Sequence, residues 1–409
     1  MKLLQVKSVE EVVKIITDSF QEINRVQELK MEDSLFKVLA EDVYSPEILP
    51  PFSRSSVDGY AVNATDTYGA GESLPAFLQL VGEIKMGENA EKINRSETRY
   101  IPTGGMLPKG ADAVVMIEYT EKLGNQVMIY KQVGPGENVI LAGDDVKEGE
   151  LILKKGTVLK EAELGALAAL GINNVTVYEK PVVGILSTGN ELVSNTEKEL
   201  KNGQIRDINS ITLASIAKKY GAKVLLGGIA SDDFDEILNK ASNLLDKVDV
   251  LLLSGGSSVG TLDFTSQVVK KLTGGNLLVE GISVKPGKPT IFAKKDNKAV
   301  WGLPGHPVSA MMIFNYFGEI LLNILSGSRE LKFKKICKAL LTRNIPSSAG
   351  RTDWIRVRLT KDTNNYQATP VFGKSGLITT LIETQGYIEI PPQKEGLEKG
   401  TWVDVILWG

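Results

Sequence analysis

The sequence predicts a multidomain α/β plus β protein built around one doubly wound, mostly parallel α/β unit. Three observations carry that prediction. Between about residues 180 and 325, short apolar runs alternate with segments of helical periodicity, the rhythm of a doubly wound sheet. The run at 248–253 carries almost no polar residue, as a strand covered on both faces requires. On either side, 46–145 and 330–409 hold short alternating runs bounded by turn residues, the pattern of β units.

The elements follow in order. Val9, Val12, Val13, Ile16 and Phe20 recur at helical spacing over 8–20, and Ser8 with Glu11 forms a capping-box pattern. A second helix is expected over 21–38. Runs at 77–81, 113–117 and 126–130 read as strands, and a β stretch between helical flanks has the character of an insertion. A short helix over 161–170 is stopped by Gly171. The α/β unit should place strands at 182–186, 223–226, 248–253, 277–283 and 290–293. Its helices are expected over 208–220, 232–246, onward from 263, and over 307–325. Runs at 339–341, 354–359, 386–390 and 402–407 predict a small C-terminal β-barrel or sandwich.

Composition excludes several functions. A chain of 409 residues exceeds what one hydrophobic core serves. Net charge is −3, so general attraction to nucleic acid or anionic lipid is not expected, and any basic site is local. The single cysteine, Cys337, forms no internal disulfide and reads as a packed strand residue; this fits a reducing compartment. The single histidine, His306, rules out a histidine-rich zinc site, and no G-x-S-x-G elbow is present for a triad. The N-terminus lacks a signal-peptide core, and no apolar run reads as a membrane span, so a soluble cytoplasmic protein is expected. Chemistry must then rest on carboxylates, lysine, arginine and backbone amides, with a hard metal ion as a further option.

The most informative stretch is 251–263, where a buried strand runs into Ser254-Gly255-Gly256-Ser257-Ser258 and then a helix start near Asp263. Glycines let backbone amides approach an anion, and ligands of open α/β sheets bind beyond the strands' carboxyl ends. A ligand-free tight turn is the plainer alternative. Asp263 reads either as a helix cap or as a carboxylate holding Mg²⁺ beside a phosphate. Ser187-Thr188-Gly189-Asn190-Glu191 ends a strand on the same expected edge, which makes Glu191 a second hard ligand or a solvated loop carboxylate. Lys285-Pro286-Gly287-Lys288-Pro289 sets two lysines on a proline-stiffened turn, suited to a tetrahedral oxyanion. Pro304-Gly305-His306-Pro307-Val308-Ser309 is a turn into a helix, with Ser309 in its first turn. Asp58, Thr103 and Asp145 lie in loop segments that turn chemistry alone explains.

Six motifs in order, Ser-Val-Asp-Gly-Tyr-Ala at 56–61, Pro-Thr-Gly-Gly at 102–105, Ser-Thr-Gly-Asn-Glu-Leu at 187–192, Ser-Gly-Gly-Ser-Ser-Val-Gly at 254–260, Lys-Pro-Gly-Lys-Pro at 285–289 and Leu-Pro-Gly-His-Pro-Val-Ser at 303–309, resemble the molybdopterin molybdenumtransferases. The gephyrin E domain shares the pattern, and the likeness spans essentially the whole chain. The resemblance implies an elongated N-terminal domain (1–45 with 146–178), an inserted β-rich domain (46–145), an α/β molybdopterin-binding domain (179–328) and a C-terminal β-barrel (329–409). It implies a homodimer whose cleft joins the α/β and C-terminal domains of one subunit to the β insert of the other. The implied substrates are molybdate and adenylylated molybdopterin, with Mg²⁺ and release of AMP. Asp58, Asp145, Glu191, Asp232 and Asp263 become the acidic candidates for metal, nucleotide and catalytic work, with Glu191 and Asp263 for the metal. Thr103 becomes a cleft contact. Lys285, Lys288, Ser309, Arg351 and Ser375 match positions for molybdate or phosphate, and Gly255 and Gly256 match the pterin-phosphate turn. Ser254, Ser257, Pro289, Pro304 and Pro307 flank these as substrate contacts. Members of the family often carry Asn at the place of His306. Asp232 also reads as a helix N-cap within Ser231-Asp232-Asp233.

Possible partners implied are the molybdopterin adenylyltransferase and apo-molybdoenzymes, with no nucleic acid and no membrane. Rival readings are a molybdopterin adenylyltransferase, which lacks the β insert and C-terminal region; a partner-binding scaffold; and a nucleotide-pyrophosphate hydrolase sharing the α/β domain. Molybdate dependence of AMP release separates them.

Overall fold

The computed structural model describes residues 6–255, 261–330, 335–362 and 365–408; the side chains of 261–263 lie outside that description. At its centre is a six-stranded sheet in the order Lys223–Ala230, Val182–Thr188, Val250–Gly255, Lys298–Leu303, Ile291–Lys295, Leu277–Glu280. The first three pairings are parallel and the last two antiparallel. Alternate residues of the buried strand serve opposite faces: Val250 and Leu252 join one core, Leu251 and Leu253 the other. Helices Asn209–Lys219 and Val9–Ser19 cover the first face, and Phe234–Leu245 and Thr261–Leu272 cover the second. Register aligns Thr188 with Gly255, and Ser254 with Leu303, so three of the motif turns leave one edge of the sheet.

The first helix forms as its spacing predicts. Val9, Val12 and Ile16 are buried, the Glu11 amide donates to Ser8 Oγ at 3.1 Å, and the Ser8 amide donates to Glu11 Oε2 at 2.7 Å. The helix expected over 21–38 does not form. Val26–Lys30 is instead a strand paired antiparallel with Asn174–Tyr178. Its alternating exposure has period two, and a distant partner strand overrides its helical spacing. The long helix expected over 307–325 forms. Pro307–Leu325 is a 19-residue helical run long and apolar enough to cross a membrane, with a π-helical stretch at Phe314–Gly318. Phe314, Phe317, Leu321, Leu322 and Leu325 are fully buried in the larger core, which makes this run the central helix of the α/β unit.

The β-rich region forms its own six-stranded sheet, in the order Ala113–Met116, Gly59–Val62, Glu97–Ile101, Ala76–Glu83, Gln126–Ile129, Thr120–Leu123. Tyr60, Val62, Leu78, Val115 and Val127 make its core. Of barrel and sandwich, the C-terminal region is a closed barrel. Thr352–Lys361, Tyr366–Pro370, Ile336–Leu341, Trp402–Leu407 and Gly386–Ile390 pair in turn, and the last pairs back to the first. Cys337 is a half-buried strand residue against the barrel core. Val284–Lys285 adds in parallel to the strand Thr352–Lys361, aligning Lys285 with Asp353, and so joins the barrel to the α/β unit.

Candidate active site between the α/β unit and the barrel

The joint between these two units forms a cleft of about 590 Å³. One wall is the proline-rich turn after Val284–Lys285. Gly287 sits at φ +119°, and a Cβ there would lie 2.5 Å from Ile313 Cδ1, so only glycine lets the turn lie this close to the central helix. The turn is closed by the Ile282 amide donating to the Lys288 carbonyl at 2.9 Å. Ser283 Oγ donates to the Gly350 carbonyl at 2.9 Å, and the Thr352 amide donates to the Ser283 carbonyl at 3.0 Å. These bonds pin the lysine turn against Arg351.

The lining is electropositive. Lys285, Lys288, Arg351, Arg356 and Lys374 face the cleft with His306, and no Asp or Glu is among the described lining residues. Arg351 Nε donates to Asp353 Oδ1 at 3.0 Å, and Ser347 Oγ donates to Asp353 Oδ2 at 3.0 Å. Burial holds the Arg356 guanidinium below its ordinary value. Such a chamber suits a compact oxyanion.

A second cleft of about 410 Å³ adjoins it across Gly305 and His306, which line both. Its lining includes Ser187, Thr188, Glu191, Asp207, Asn209, Ser254, Gly255 and Pro307. Asn209 Nδ2 donates to Ser254 Oγ and to the Gly305 carbonyl, both at 2.8 Å, and so ties the serine-glycine turn to the Pro304–His306 turn. Asn209 Oδ1 and Ser187 Oγ are buried with no partner among the described residues, which leaves hydrogen-bonding capacity for a ligand. A Cβ on Gly255 would meet Thr188 Oγ1 at 2.0 Å, so glycine is required where these strand ends meet. On the ridge between the clefts, His306 Nδ1 and Ser375 Oγ share a 2.8 Å hydrogen bond, and the Val308 amide donates to the Ser375 carbonyl.

Of the residues singled out from sequence, Lys285, Lys288, Pro289, Pro304, Ser309, Arg351 and Ser375 line the first cleft; Glu191, Ser254, Gly255 and Pro307 line the second. Asp232 does not cap its helix. Asp233 does, accepting from the Glu236 amide at 2.8 Å, while Asp232 exchanges hydrogen bonds with Asn190, next to Glu191. Asp58 Oδ1 accepts from the Thr103 amide at 2.7 Å and from Thr103 Oγ1 at 3.0 Å, but this pair lies in the β-rich unit and lines neither cleft. Asp145 is likewise an exposed loop residue outside both. Gly256 and Ser257 lie outside the described residues; Asp263 is in the first turn of Thr261–Leu272 with its side chain outside the description. Among the described residues no three His, Cys, Asp or Glu gather as a metal cluster.

Arg356, Lys374, Asp207 and Asn209 were not singled out by sequence. A usable signal existed for Arg356: strand alternation puts it on the same face as Trp354, an inward position where a charge is unexpected. Asp207 and Asn209 carried no such signal, since polar residues before a helix read as capping.

An α/β sheet whose motif turns share one edge, joined through a basic cleft to a closed barrel, defines a multidomain enzyme built to handle an anionic ligand. Three family descriptions match: "MoeA N-terminal region (domain I and II)" over 7–171, "Probable molybdopterin binding domain" over 184–323 and "MoeA C-terminal region (domain IV)" over 338–408. A putative molybdopterin biosynthesis protein of Methanocaldococcus jannaschii is 35% identical, over 99% of this chain and 98% of its own length. The molybdopterin molybdenumtransferase of Bacillus subtilis is 33% identical, over 95% and 91%. A crystal structure of a molybdopterin biosynthesis MoeA protein from Pyrococcus horikoshii OT3 matches with TM-score 0.83 at 32% identity, covering 98% of this chain and 100% of that one. The chain belongs to the molybdopterin molybdenumtransferase family, the transferases of molybdenum cofactor biosynthesis.

Proposed function

We propose that this chain inserts molybdate into adenylylated molybdopterin, with cleavage of the pterin–AMP phosphoanhydride and release of AMP. The observation that supports this most directly is the pairing of two clefts across Gly305 and His306, one lined by cations without a carboxylate, the other by polar groups with unused hydrogen-bonding capacity. In this reading Lys285, Lys288, Ser309 and Arg351 hold the molybdate dianion by charge and hydrogen bonds. Ser187, Asn209, Ser254 and Gly255 orient the pterin nucleotide, so that its dithiolene meets molybdate at the shared ridge. Holding both reactants in one geometry supplies the entropic part of the rate enhancement.

Mg²⁺ fits the donor chemistry beside the second cleft, where the side-chain metal donors, His306 apart, are hard oxygens. Glu191, with Asp263, would hold it together with phosphate oxygens; when bound it would offset the charge of the anhydride. Asp232 orients the loop of Glu191 through Asn190. Asp58, Thr103 and Asp145 line neither cleft, which favours a homodimer in which the β-rich unit of a second copy closes the site. The domain division read from sequence, 1–45 with 146–178, 46–145, 179–328 and 329–409, and a cytoplasmic location belong to the same proposal.

The test is AMP release from adenylylated molybdopterin with and without molybdate. Release that needs both molybdate and Mg²⁺ is expected. Molybdate-independent hydrolysis of simple dinucleotides would instead favour a pyrophosphate hydrolase.

A further inference from the structure

The basic cleft holds two arginines in very different states. Arg351 is about one-third exposed and is matched by Asp353, whose side chain is 1% exposed. Arg356 is itself only 7% exposed, and no described carboxylate lies within ion-pair distance. Its guanidinium is held flat by neutral groups: Nη1 donates to Thr380 Oγ1 at 2.6 Å, and Nη2 donates to the Gly373 carbonyl at 3.2 Å. A guanidinium carries five N–H groups. With two engaged, the others have no partner among the described residues, although the side chain lines the cleft.

Arginine does not shed its proton under ordinary conditions, so a buried, unmatched guanidinium is costly unless an anion lies beside it. Arg351 has a protein anion. Arg356 has only the cleft, whose described lining offers further cations and no carboxylate. We infer that Arg356 is a further oxyanion-binding residue, the deep anchor of the cleft, and that the bound dianion supplies the counter-charge the protein withholds. The inference rests on the molybdate reading of this cleft and deepens it. Arg351 and the two lysines set the mouth, while the fixed fork of Arg356 sets the depth and orientation of the tetrahedral ligand. The neutral partners Thr380 and Gly373 hold the fork without spending its charge. A carboxylate in their place would close the site by occupying it.

The experiment is calorimetric titration and thermal denaturation of the full chain with sodium molybdate, sodium sulfate and sodium phosphate, for wild type, Arg356→Met and Arg356→Lys. Wild type should bind molybdate and melt higher in its presence. Arg356→Met should be at least as stable as wild type without ligand, because an unmatched buried charge is gone. It should bind molybdate about tenfold more weakly or worse and lose most of the molybdate-dependent rise in Tm. Should the Met variant not fold, Arg356→Lys decides: it keeps the charge but loses the fork, and weaker molybdate binding is expected. Molybdate binding equal to wild type in the folded Met variant, or in the Lys variant where Met does not fold, overturns the inference while leaving the molybdate reading intact. If wild type responds to sulfate or phosphate but not molybdate, and the response is lost with Arg356, the anion anchor stands and the molybdate reading falls. No response of wild type to any of the three anions sinks both.

Discussion

At the scale of single residues, the two clefts ask for different chemistry, and substitutions should separate them. Lys288 is exposed on a turn closed by its own backbone, so Lys288→Ala removes a held charge without disturbing the core. The expected result is a higher molybdate requirement for AMP release, by about tenfold, with an unchanged melting temperature. An unaltered molybdate dependence would remove Lys288 from the site. Glu191→Ala should abolish Mg²⁺-dependent AMP release while circular dichroism stays native, because Glu191 is an exposed residue at the mouth of the second cleft. Normal turnover would show that the acidic group has been misassigned. The charged motifs were legible in the sequence because prolines and glycines bracket them, and those residues declare a fixed backbone. For Arg356 only its inward strand position was legible and for Asn209 nothing was, because their roles come from partners remote in sequence: Thr380 for one, Ser254 and Gly305 for the other.

At the scale of elements, local rules explain most of what forms, and long-range pairing explains the exceptions. The capping box at Ser8 and the apolar spacing after it were sufficient to specify the first helix. Val26–Lys30 has a spacing compatible with a helix, and only pairing with Asn174–Tyr178 decides for a strand. Where strand ends converge on the site, the fit is tight. Gly255→Ala would set a Cβ 2.2 Å from the Thr188 carbonyl oxygen, so a loss of about 1–3 kcal/mol is expected in urea denaturation. A wild-type midpoint would mean that the strand ends can part. In the helix Phe234–Leu245, Glu236 is held at about 2 by its ion-paired hydrogen bond to Lys240 and its bond to Ser231. A depressed carboxylate contributes stability above its ordinary value of about 4.5 and loses it as pH falls towards 2. Glu236→Gln should therefore be less stable than wild type near neutrality, with the gap closing between those two values. A gap that stays constant with pH would contradict the assignment.

At the scale of the whole molecule, the first helix, the α/β unit and the barrel share one apolar core, and polar contacts tie them further. Arg25, just before the strand Val26–Lys30, forks onto Asp249 at 3.0 and 2.7 Å, and Asp249 also accepts from the Val182 amide at 2.7 Å. That carboxylate is mostly buried at the start of two central strands. Arg25→Met should cost about 1.5–3 kcal/mol, as expected for hydrogen bonds to a charged group, and should lower the urea midpoint. An unchanged midpoint would show that the N-terminal region is held by apolar packing alone. The architecture of sheet, β-rich unit and barrel was readable from periodicity, since each has its own repeat of apolar residues. The placement of the α/β unit and the barrel around a common cleft came only with the family resemblance, because no periodicity reports the pairing of Val284–Lys285 with a strand that begins at Thr352.

That short pairing also stands on packing shared by both units. It aligns only two residue pairs, yet one of them puts Lys285 beside Asp353, the partner of Arg351. Behind it, Trp354 of the barrel stacks on Tyr316 at 5.0 Å, and Trp354, Leu381 and Tyr387 lie in the same apolar core as Phe314 and Phe317. The lysine and arginine are therefore held at one spacing by a backbone pairing and a common core, and Ser375 fastens the opposite side of the cleft to His306 and Val308. A grip built this way is set before the anion arrives, so binding spends little free energy on arranging it.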